Sequence, residues 1–200
     1  MKLPKIVGIS GTNGAGKDEL GKLLVELKGY GFHSVSELLR EELTRQGKPI
    51  TRENQGALSK QWRNESGDDG VMFTKAIEKY HAEQGGLEHG GLALVSIRHP
   101  AEVDVIHANG GVAVWVDADQ RLRYERIRSA NRDRHEDDVT FEEFQADEDR
   151  EMHPPADAPH GALNMAAVKA KADVFVENDF ATLEDYRKFL TAEFELNGDA

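Results

Sequence analysis

Short apolar runs alternate with segments of helical periodicity along the whole chain. The apolar runs are rich in Val, Ile, Leu and Phe, and several lack the polar alternation of a half-exposed sheet, as buried parallel strands do. They cover residues 5–10, 33–36, 92–97, 112–116 and 173–177. Helical spacing of apolar residues covers 18–27, 37–46, 52–65, 71–84, 102–109, 121–131, 140–152, 162–172 and 182–194. This alternation predicts a three-layer α/β/α fold with a parallel sheet of about five strands.

Threonines mark the start of three predicted helices. Thr51 is a predicted N-cap, because its hydroxyl can accept a hydrogen bond from the first helical turn. Thr140 with Glu143, and Thr182 with Asp185, have the spacing of a capping box, in which two side chains satisfy each other's backbone N–H groups. These signals fix where the helices begin.

A glycine-rich loop joins the first predicted strand to the first predicted helix. The loop residues that fit the pattern G-x-x-x-x-G-K are Gly11, Thr12, Asn13, Gly14, Ala15, Gly16 and Lys17. Glycines let consecutive N–H groups point at a phosphate, and the helix adds the positive end of its dipole. Lys17 adds a mobile positive charge for the outer phosphates. The loop therefore predicts binding of a nucleoside triphosphate, with ATP as the expected donor, rather than a simple turn.

The composition of the chain excludes some classes of binding partner. The chain has 25 Lys and Arg against 37 Asp and Glu, a net charge of −12, which argues against nucleic acid as a partner. A small nucleotide needs only one local cationic pocket. No stretch approaches the ~20 apolar residues of a membrane span, so we expect no membrane partner. The N-terminus runs directly into a strand and Cys is absent, so we expect no signal peptide, no disulfides and a cytoplasmic protein.

Four places in the chain carry a likeness to known kinases. They are the loop at 11–17, SELLR at 36–40, SIRHPAEV at 96–103, and the run from 123 to 151. Through them the chain resembles the P-loop superfamily of nucleoside monophosphate kinases and dephospho-coenzyme A kinases. It is most similar to a little-characterised archaeal and bacterial group of dephospho-coenzyme A kinase-like proteins. The three residues Gly-Lys-Asp at 16–18 also resemble phage-type deoxynucleoside monophosphate kinases.

This resemblance implies a phosphotransferase that moves the γ-phosphate of ATP to a nucleotide-like small molecule. A nucleoside or deoxynucleoside monophosphate is the first expectation, and dephospho-coenzyme A is the alternative. The single domain would comprise a core (1–35, 91–118 and 161–196), an acceptor-binding helical region (36–90) and a lid (119–160). A regulatory or assembly NTPase acting on a protein partner is the alternative of another class, and it would need no second phosphate site.

Phosphoryl transfer needs two substrates held in line and the charge on the moving group neutralised. Arg98 lies just past a predicted buried strand, where ligands bind in open α/β sheets. Arg40 lies on a predicted amphipathic helix, so a plain surface charge is its alternative. The candidate catalytic residues are Lys17, Arg98, Arg126 and Arg132. The candidate residues for the acceptor are Ser36, Arg40, Arg63, Arg98 and Arg123.

The residues expected to serve Mg²⁺ depart from the family pattern. Asp18 stands where the loop normally has Ser or Thr, and Ser96 stands where the archaeal relatives usually have Asp. One hypothesis is a swap, in which the Asp18 carboxylate and the Ser96 hydroxyl both serve the ion, since Mg²⁺ takes oxygen ligands. The alternative is that the two departures are unrelated, that the nucleotide phosphates hold Mg²⁺, and that Asp18 only complements the helix dipole.

The large aromatic residues and the histidines are expected to be structural. Trp62 and Trp115 are predicted to pack in the core rather than to stack on a base. His99, beside Arg98, is predicted to shape the turn into Pro100. The remaining histidines lack the spacing of metal ligands, so no histidine metal site is expected.

Overall fold

The strands form one sheet in which every pairing is parallel. The structure is a computed structural model, and it describes residues 1–83, 90–130, 139–155, 157 and 163–197. The strands are β1 (Ile6–Gly11), β2 (Gly31–Ser34), β3 (Leu92–Val95), β4 (Val112–Asp117) and β5 (Val174–Glu177). Their order in the sheet is β2-β3-β1-β4-β5. The predicted parallel sheet and its number of strands are confirmed.

Helices connect the strands and cover both faces of the sheet. They are α1 (Lys17–Lys28), α2 (Val35–Arg45), α3 (Arg52–Ser66), α4 (Val71–Glu83), α5 (Pro100–Ala108), α6 (Gln120–Ala130), α7 (Phe141–Met152), α8 (Met165–Lys171) and α9 (Leu183–Glu193). Every predicted helix is present. None of those that the structure describes is long and apolar enough to cross a membrane.

Several boundaries differ from the prediction by a few residues, and three of them have a clear local reason. The strand predicted at 33–36 ends at Ser34, because the Ser34 hydroxyl caps α2 together with Glu37. The strand predicted at 92–97 ends at Val95, because Ser96 adopts φ 68°, which no extended strand allows. The helix predicted from residue 162 begins at Met165, where Asn164 accepts a hydrogen bond from the Ala167 N–H.

The predicted threonine caps are confirmed. Thr51 accepts from the N–H of Asn54, and Thr182 accepts from the N–H of Asp185. Thr140 forms the full capping box with Glu143 at the start of α7. Each cap satisfies N–H groups that have no partner inside their own helix.

Two apolar clusters lie on opposite faces of the sheet. Leu94 and Trp115 point into the cluster made with α2 to α5 and α8, and Trp115 is 1% exposed. Val95 and Val114 point into the cluster made with α1 and α9. Successive strand residues face opposite layers, which produces the three-layer arrangement. The predicted core position of Trp115 is confirmed, and Trp62 packs at the edge of the first cluster.

Candidate functional site

A cleft of about 1440 Å³ opens at the edge where the parallel strands end. In open α/β sheets this edge is where ligands bind, because loops and helix N-termini converge there. The lining includes Lys17 and Asp18 of α1, Ser34 and Ser36 at the start of α2, Ser96 and Arg98 after β3, Arg126 of α6, Glu151 of α7 and Asn178 after β5. The cleft thus combines the glycine-rich loop with cationic and hydroxyl side chains from other strands.

Two glycines let the loop between β1 and α1 pass between crowded neighbours. Gly14 has φ 81° and Gly16 has φ 86°, values that L side chains rarely adopt. A Cβ on Gly14 would lie 2.8 Å from the Arg123 carbonyl oxygen, and one on Gly16 would lie 2.6 Å from Asn178 Nδ2. Both conformation and space therefore require glycine at these positions.

Two side chains from other elements hold the backbone of this loop. Arg123 Nη1 donates to the Asn13 carbonyl at 3.2 Å. Asn178 Nδ2 donates to the Ala15 carbonyl at 2.8 Å. These contacts fix two loop carbonyls outside any secondary structure, and the loop residues Thr12, Asn13, Gly14 and Gly16 line the cleft. The loop is therefore preorganised rather than shaped only by its own turn.

Asp117, at the end of β4, anchors the start of the loop. Its carboxylate accepts from the Thr12 hydroxyl at 2.7 Å, from Trp115 Nε1 at 3.2 Å and from Lys169 Nζ at 3.1 Å. Burial alone would raise the pKa of Asp117, but hydrogen bonds led by that of Thr12 outweigh it and hold the pKa below its usual value. Asp117 is therefore a charged acceptor beneath the loop.

Glu102 holds the loop that follows β3. It is 2% exposed, and one carboxylate oxygen accepts from the backbone N–H groups of Arg98 at 2.8 Å and His99 at 3.1 Å. Burial raises the pKa of Glu102 to about 7, although these hydrogen bonds and nearby arginines oppose the rise. His99 Nδ1 accepts from the Ala101 N–H, so His99 shapes the turn into Pro100, as predicted.

Two arginines predicted for the acceptor instead support the structure around the cleft. Arg63 lies 3.6 Å from the Glu102 carboxylate, donates to Ser59, and is not among the residues that line the cleft. Arg123 is 3% exposed and is held by Glu148 and by two backbone carbonyls. Neither guanidinium faces the cleft, because each one forms an ion pair with an acidic side chain inside the protein.

Arg98 faces the cleft and forms an ion pair with the helix opposite. Its Nη1 lies 3.3 Å from Glu151 of α7, and the two side chains are 45% and 42% exposed. Half-exposed pairs of this kind contribute only about 0–1 kcal/mol. An anionic ligand can therefore replace Glu151 as the partner of Arg98 at little cost.

Three buried polar atoms border the opposite end of the cleft. Arg126 Nη1, Asn178 Oδ1 and Tyr186 Oη have no hydrogen-bond partner among the described residues. All three residues line the cleft, and Arg126 Nη2 donates to the Phe180 carbonyl at 3.0 Å. Burial raises the pKa of Tyr186, so its hydroxyl stays a donor. Unpaired buried polar groups are costly, so these three residues mark an end of the cleft where polar groups are not satisfied by the protein itself.

The other predicted site residues fall into three groups. Lys17, Asp18, Ser36, Ser96, Arg98 and Arg126 line the cleft, as do most residues of the loop. Gly11 and Ala15 are buried behind it, and Arg40 is exposed on α2 away from its lining. Arg132 lies outside the described residues.

The two candidate magnesium residues both reach the cleft. Asp18 lies in the first turn of α1, and Ser96 follows β3 with its strained φ of 68°. Both offer oxygen atoms, which suits a hard cation. Among the residues that the structure describes, no group of three or more His, Cys, Asp or Glu could hold a metal ion.

Sequence reasoning missed four residues that shape the site. Asp117 ends β4 and Asn178 follows β5, positions that signal a role at the carboxyl edge of a sheet. Glu102 is the third residue after His99 and follows Pro100, which is the spacing of a helix start. This signal could have identified Glu102 from the sequence. Glu148 lies in an acidic run on α7, where nothing in the sequence separates it from its exposed neighbours.

Relatives of nearly the same length share up to about a third of the sequence. The UPF0200 protein of Thermococcus gammatolerans is 30% identical over 190 residues, which cover 92% of this chain and 90% of that protein. The UPF0200 protein of Sulfurisphaera tokodaii is 30% identical over 188 residues, which cover 94% of each. This chain belongs to the UPF0200 family. No family model matches it.

Solved structures share the fold of this UPF0200 chain. Shikimate kinase from Acinetobacter baumannii in complex with shikimate has a TM-score of 0.57 and 16% identity, covering 98% of this chain and 96% of that one. TT1252 from Thermus thermophilus has a TM-score of 0.56 and 22% identity, covering 98% and 100%. At these identities the likeness shows the fold alone, and it agrees with the predicted three-layer α/β/α fold.

The buried carboxyl group of Glu102 makes stability depend on pH. Its pKa is about 7 in the folded protein against an ordinary value of 4.5, so the folded state binds the proton more tightly. This contribution is fully present below pH 4.5 and is lost as the pH rises through 7. Glu102→Gln keeps an oxygen acceptor but cannot ionise, so we expect the variant to gain roughly 2–3 kcal/mol relative to the wild type between pH 5 and 8.

Urea unfolding of both proteins at pH 5 and pH 8 measures this difference. Glu142→Gln, which neutralises an exposed glutamate on α7, is the matched control and should follow the wild type at both pH values. If the free energy of unfolding changed equally with pH in Glu102→Gln and Glu142→Gln, the proton would not belong to the buried Glu102 carboxyl group.

Proposed function

We propose that this protein is an ATP-dependent small-molecule kinase that transfers the γ-phosphate to a nucleotide-like acceptor. The observation that carries the proposal is that one cleft is lined both by the glycine-rich loop with Lys17 and by Arg98 with its neighbouring serines. A donor and an acceptor bound at these two places would meet inside the same cleft. Holding two reactants together is most of what phosphoryl transfer requires.

The loop and its surroundings would hold the donor. The N–H groups of the loop and the start of α1 favour phosphate oxygens, and Lys17 would neutralise the outer phosphates. Arg126 would donate its unpaired Nη1 to the donor, and Asn178 and Tyr186 would satisfy their own unpaired atoms on the same ligand. The presence of these donors and acceptors at the cleft supports a nucleotide as the occupant.

Asp18 and Ser96 are the residues proposed to serve Mg²⁺, directly or through water. Both line the cleft and both carry oxygen, so the donor set fits the ion. When bound, Mg²⁺ supplies positive charge at the phosphates. The residues of the chain orient the two substrates, with Lys17 at the outer phosphates of the donor and Arg98 at the acceptor.

The region around Arg98 would hold the acceptor. Ser34, Ser36 and Ser96 offer hydroxyl groups near it, and Phe32 and Val95 offer apolar surface. An anionic group of the acceptor would displace Glu151 from Arg98 and form the stronger paired N–H···O contacts that arginine makes with phosphate. A nucleoside or deoxynucleoside monophosphate presents such a phosphate together with a flat aromatic base, and it is the proposed acceptor.

Dephospho-coenzyme A is the second candidate acceptor. The apolar side chains that favour it are Met152, Pro154, Pro155, Leu163 and Met165, which line the cleft beyond Arg98. They would suit a long, weakly polar arm. In both cases residues 36–90 are the proposed acceptor-binding region and 119–160 the proposed lid, with the lid arginine Arg132 as a further candidate.

Lys17→Ala should abolish turnover and weaken binding of a non-hydrolysable ATP analogue at least tenfold. The reason is the loss of a charge-assisted contact to the outer phosphates, worth ~1.5–3 kcal/mol. Calorimetric titration measures the affinity. Lys28→Ala is the matched control, because Lys28 ends the same helix roughly 16 Å away. Wild-type affinity and turnover in Lys17→Ala would exclude the loop as the donor site.

Arg98→Ala should raise the KM for the acceptor about ten- to a hundredfold and leave the affinity for the ATP analogue unchanged. The comparison variant Arg40→Ala tests the remaining arginine predicted for the acceptor. Arg45→Ala is the control, since Arg45 also forms an exposed ion pair with a glutamate but lies away from the cleft lining.

A coupled assay measures these constants across nucleoside monophosphates, deoxynucleoside monophosphates and dephospho-coenzyme A, with an acceptor-free control. Unchanged acceptor kinetics in Arg98→Ala would place the acceptor elsewhere. ATP hydrolysis without any acceptor dependence would favour an assembly NTPase.

Asp18→Asn should raise the Mg²⁺ concentration needed for half-maximal rate, while metal-free nucleotide binding holds or improves. Removing the carboxylate removes both its attraction for the cation and its repulsion of the triphosphate. Mg²⁺ titrations at saturating ATP compare the wild type with Asp18→Asn, Ser96→Asp and Asp18→Ser/Ser96→Asp. The double variant should recover more activity than the single changes predict, because the sites would be coupled. An unshifted Mg²⁺ curve for Asp18→Asn argues for a helix N-terminal role only.

A further inference from the structure

One buried guanidinium joins the glycine-rich loop to a helix on the far side of the cleft. Arg123, in the first half of α6, donates through Nη1 both to the Asn13 carbonyl, at 3.2 Å, and to Glu148 of α7. Its Nη2 donates to the other Glu148 oxygen at 2.9 Å, and its Nε donates to the Ala118 carbonyl at 2.9 Å. The same nitrogen therefore contacts both the loop and α7.

The loop is pressed closely against this part of α6. A Cβ on Gly14 would meet the Arg123 carbonyl at 2.8 Å and Ile127 at 3.1 Å. Next to it, Thr12 donates to Asp117, whose carboxylate also lies 3.6 Å from Arg123 Nε. A movement of the Arg123 side chain would thus be transmitted to the loop by direct contact.

Arg123 is buried, so its conformation depends on the position of its charged partner Glu148. The side chains of Arg123 and Glu148 are 4% and 17% exposed, and Gln120 adds a hydrogen bond to Glu148 at 2.9 Å. A buried charge that loses its partner is strongly destabilised. If α7 moves away, Arg123 cannot keep its geometry, and the contact to Asn13 changes with it.

We propose that Arg123 is a positioning residue that couples the docking of α7, through Glu148, to the conformation of the donor-binding loop. The inference rests on the proposed function of that loop as the ATP site. It assigns to Arg123 and Glu148 no contact with substrate. Because coupling between two sites is reciprocal, donor binding must also favour the docked position of α7.

The test compares two variants of α7, one in which a glutamate becomes glutamine and one in which the neighbouring aspartate becomes asparagine. Glu148→Gln keeps the shape of the side chain but removes the charge that holds Arg123. Asp149→Asn removes an equal charge from the next residue, which is exposed and does not line the cleft. Glu148→Gln keeps one oxygen acceptor for Arg123, and Asp117 still lies 3.6 Å from Arg123 Nε, so the variant should fold although it is less stable than the wild type.

The first measurement needs no nucleotide. In ¹⁵N-labelled, ligand-free protein, the backbone amide signals of Asn13 and Gly14 should shift and broaden in Glu148→Gln and remain as in the wild type in Asp149→Asn. Unchanged loop signals in Glu148→Gln overturn the coupling, whatever happens to activity. Equal changes in both variants overturn it too, since they would reflect only the lost charge.

The second measurement is the affinity for a non-hydrolysable ATP analogue. Glu148→Gln should bind it about tenfold more weakly, and Asp149→Asn should bind it as the wild type does. Wild-type affinity in Glu148→Gln would show that the loop does not depend on α7. If the wild type itself binds no analogue, the proposed function fails, while the amide signals still decide whether Arg123 couples the helix to the loop.

Discussion

The site depends on how closely the loop after β1 is enclosed by its neighbours. Gly14 packs on the Arg123 backbone and Gly16 on the Asn178 side chain, with no room for a Cβ at either position. The same neighbours hold the carbonyls of Asn13 and Ala15. A loop of this kind cannot adopt its shape alone, because glycine is the residue with the most freedom to lose on folding. The enclosing side chains supply the order that the loop sequence lacks.

Carboxyl groups that are buried or half-buried play the same part beneath the loops that line the cleft. Asp117 holds Thr12, Glu102 holds the backbone of Arg98 and His99, and Glu148 holds Arg123. A buried charge must be paired, so each carboxylate fixes its partner in one arrangement. This explains how a strongly acidic chain can place cationic side chains in a cleft. Several of its acidic residues orient N–H and guanidinium groups, while Lys17, Arg98 and Arg126 line the cleft.

The arginines show which residues of the cleft the sequence could predict and which it could not. Arg98, just past the end of β3, and Arg126, on α6, both line the cleft, as predicted. Arg63 and Arg123 were also predicted for the acceptor, yet they pair with Glu102 and Glu148. Those partners come from other helices, Glu148 being 25 residues from Arg123 along the chain. No local pattern identifies such a pair, because it forms only when the helices pack.

The sequence alone determined the alternation of strands and helices, the threonine caps and the glycine-rich loop, since each depends on residues close together along the chain. Hydrophobic periodicity and turn chemistry act over a few residues, and they survive in any context. Tertiary structure alone decided which charges face the cleft and which are buried. Burial, and the pairing that it enforces, is a property of the packed molecule. Thus the raised pKa of Glu102 and the three unpaired atoms of Arg126, Asn178 and Tyr186 follow only from the fold.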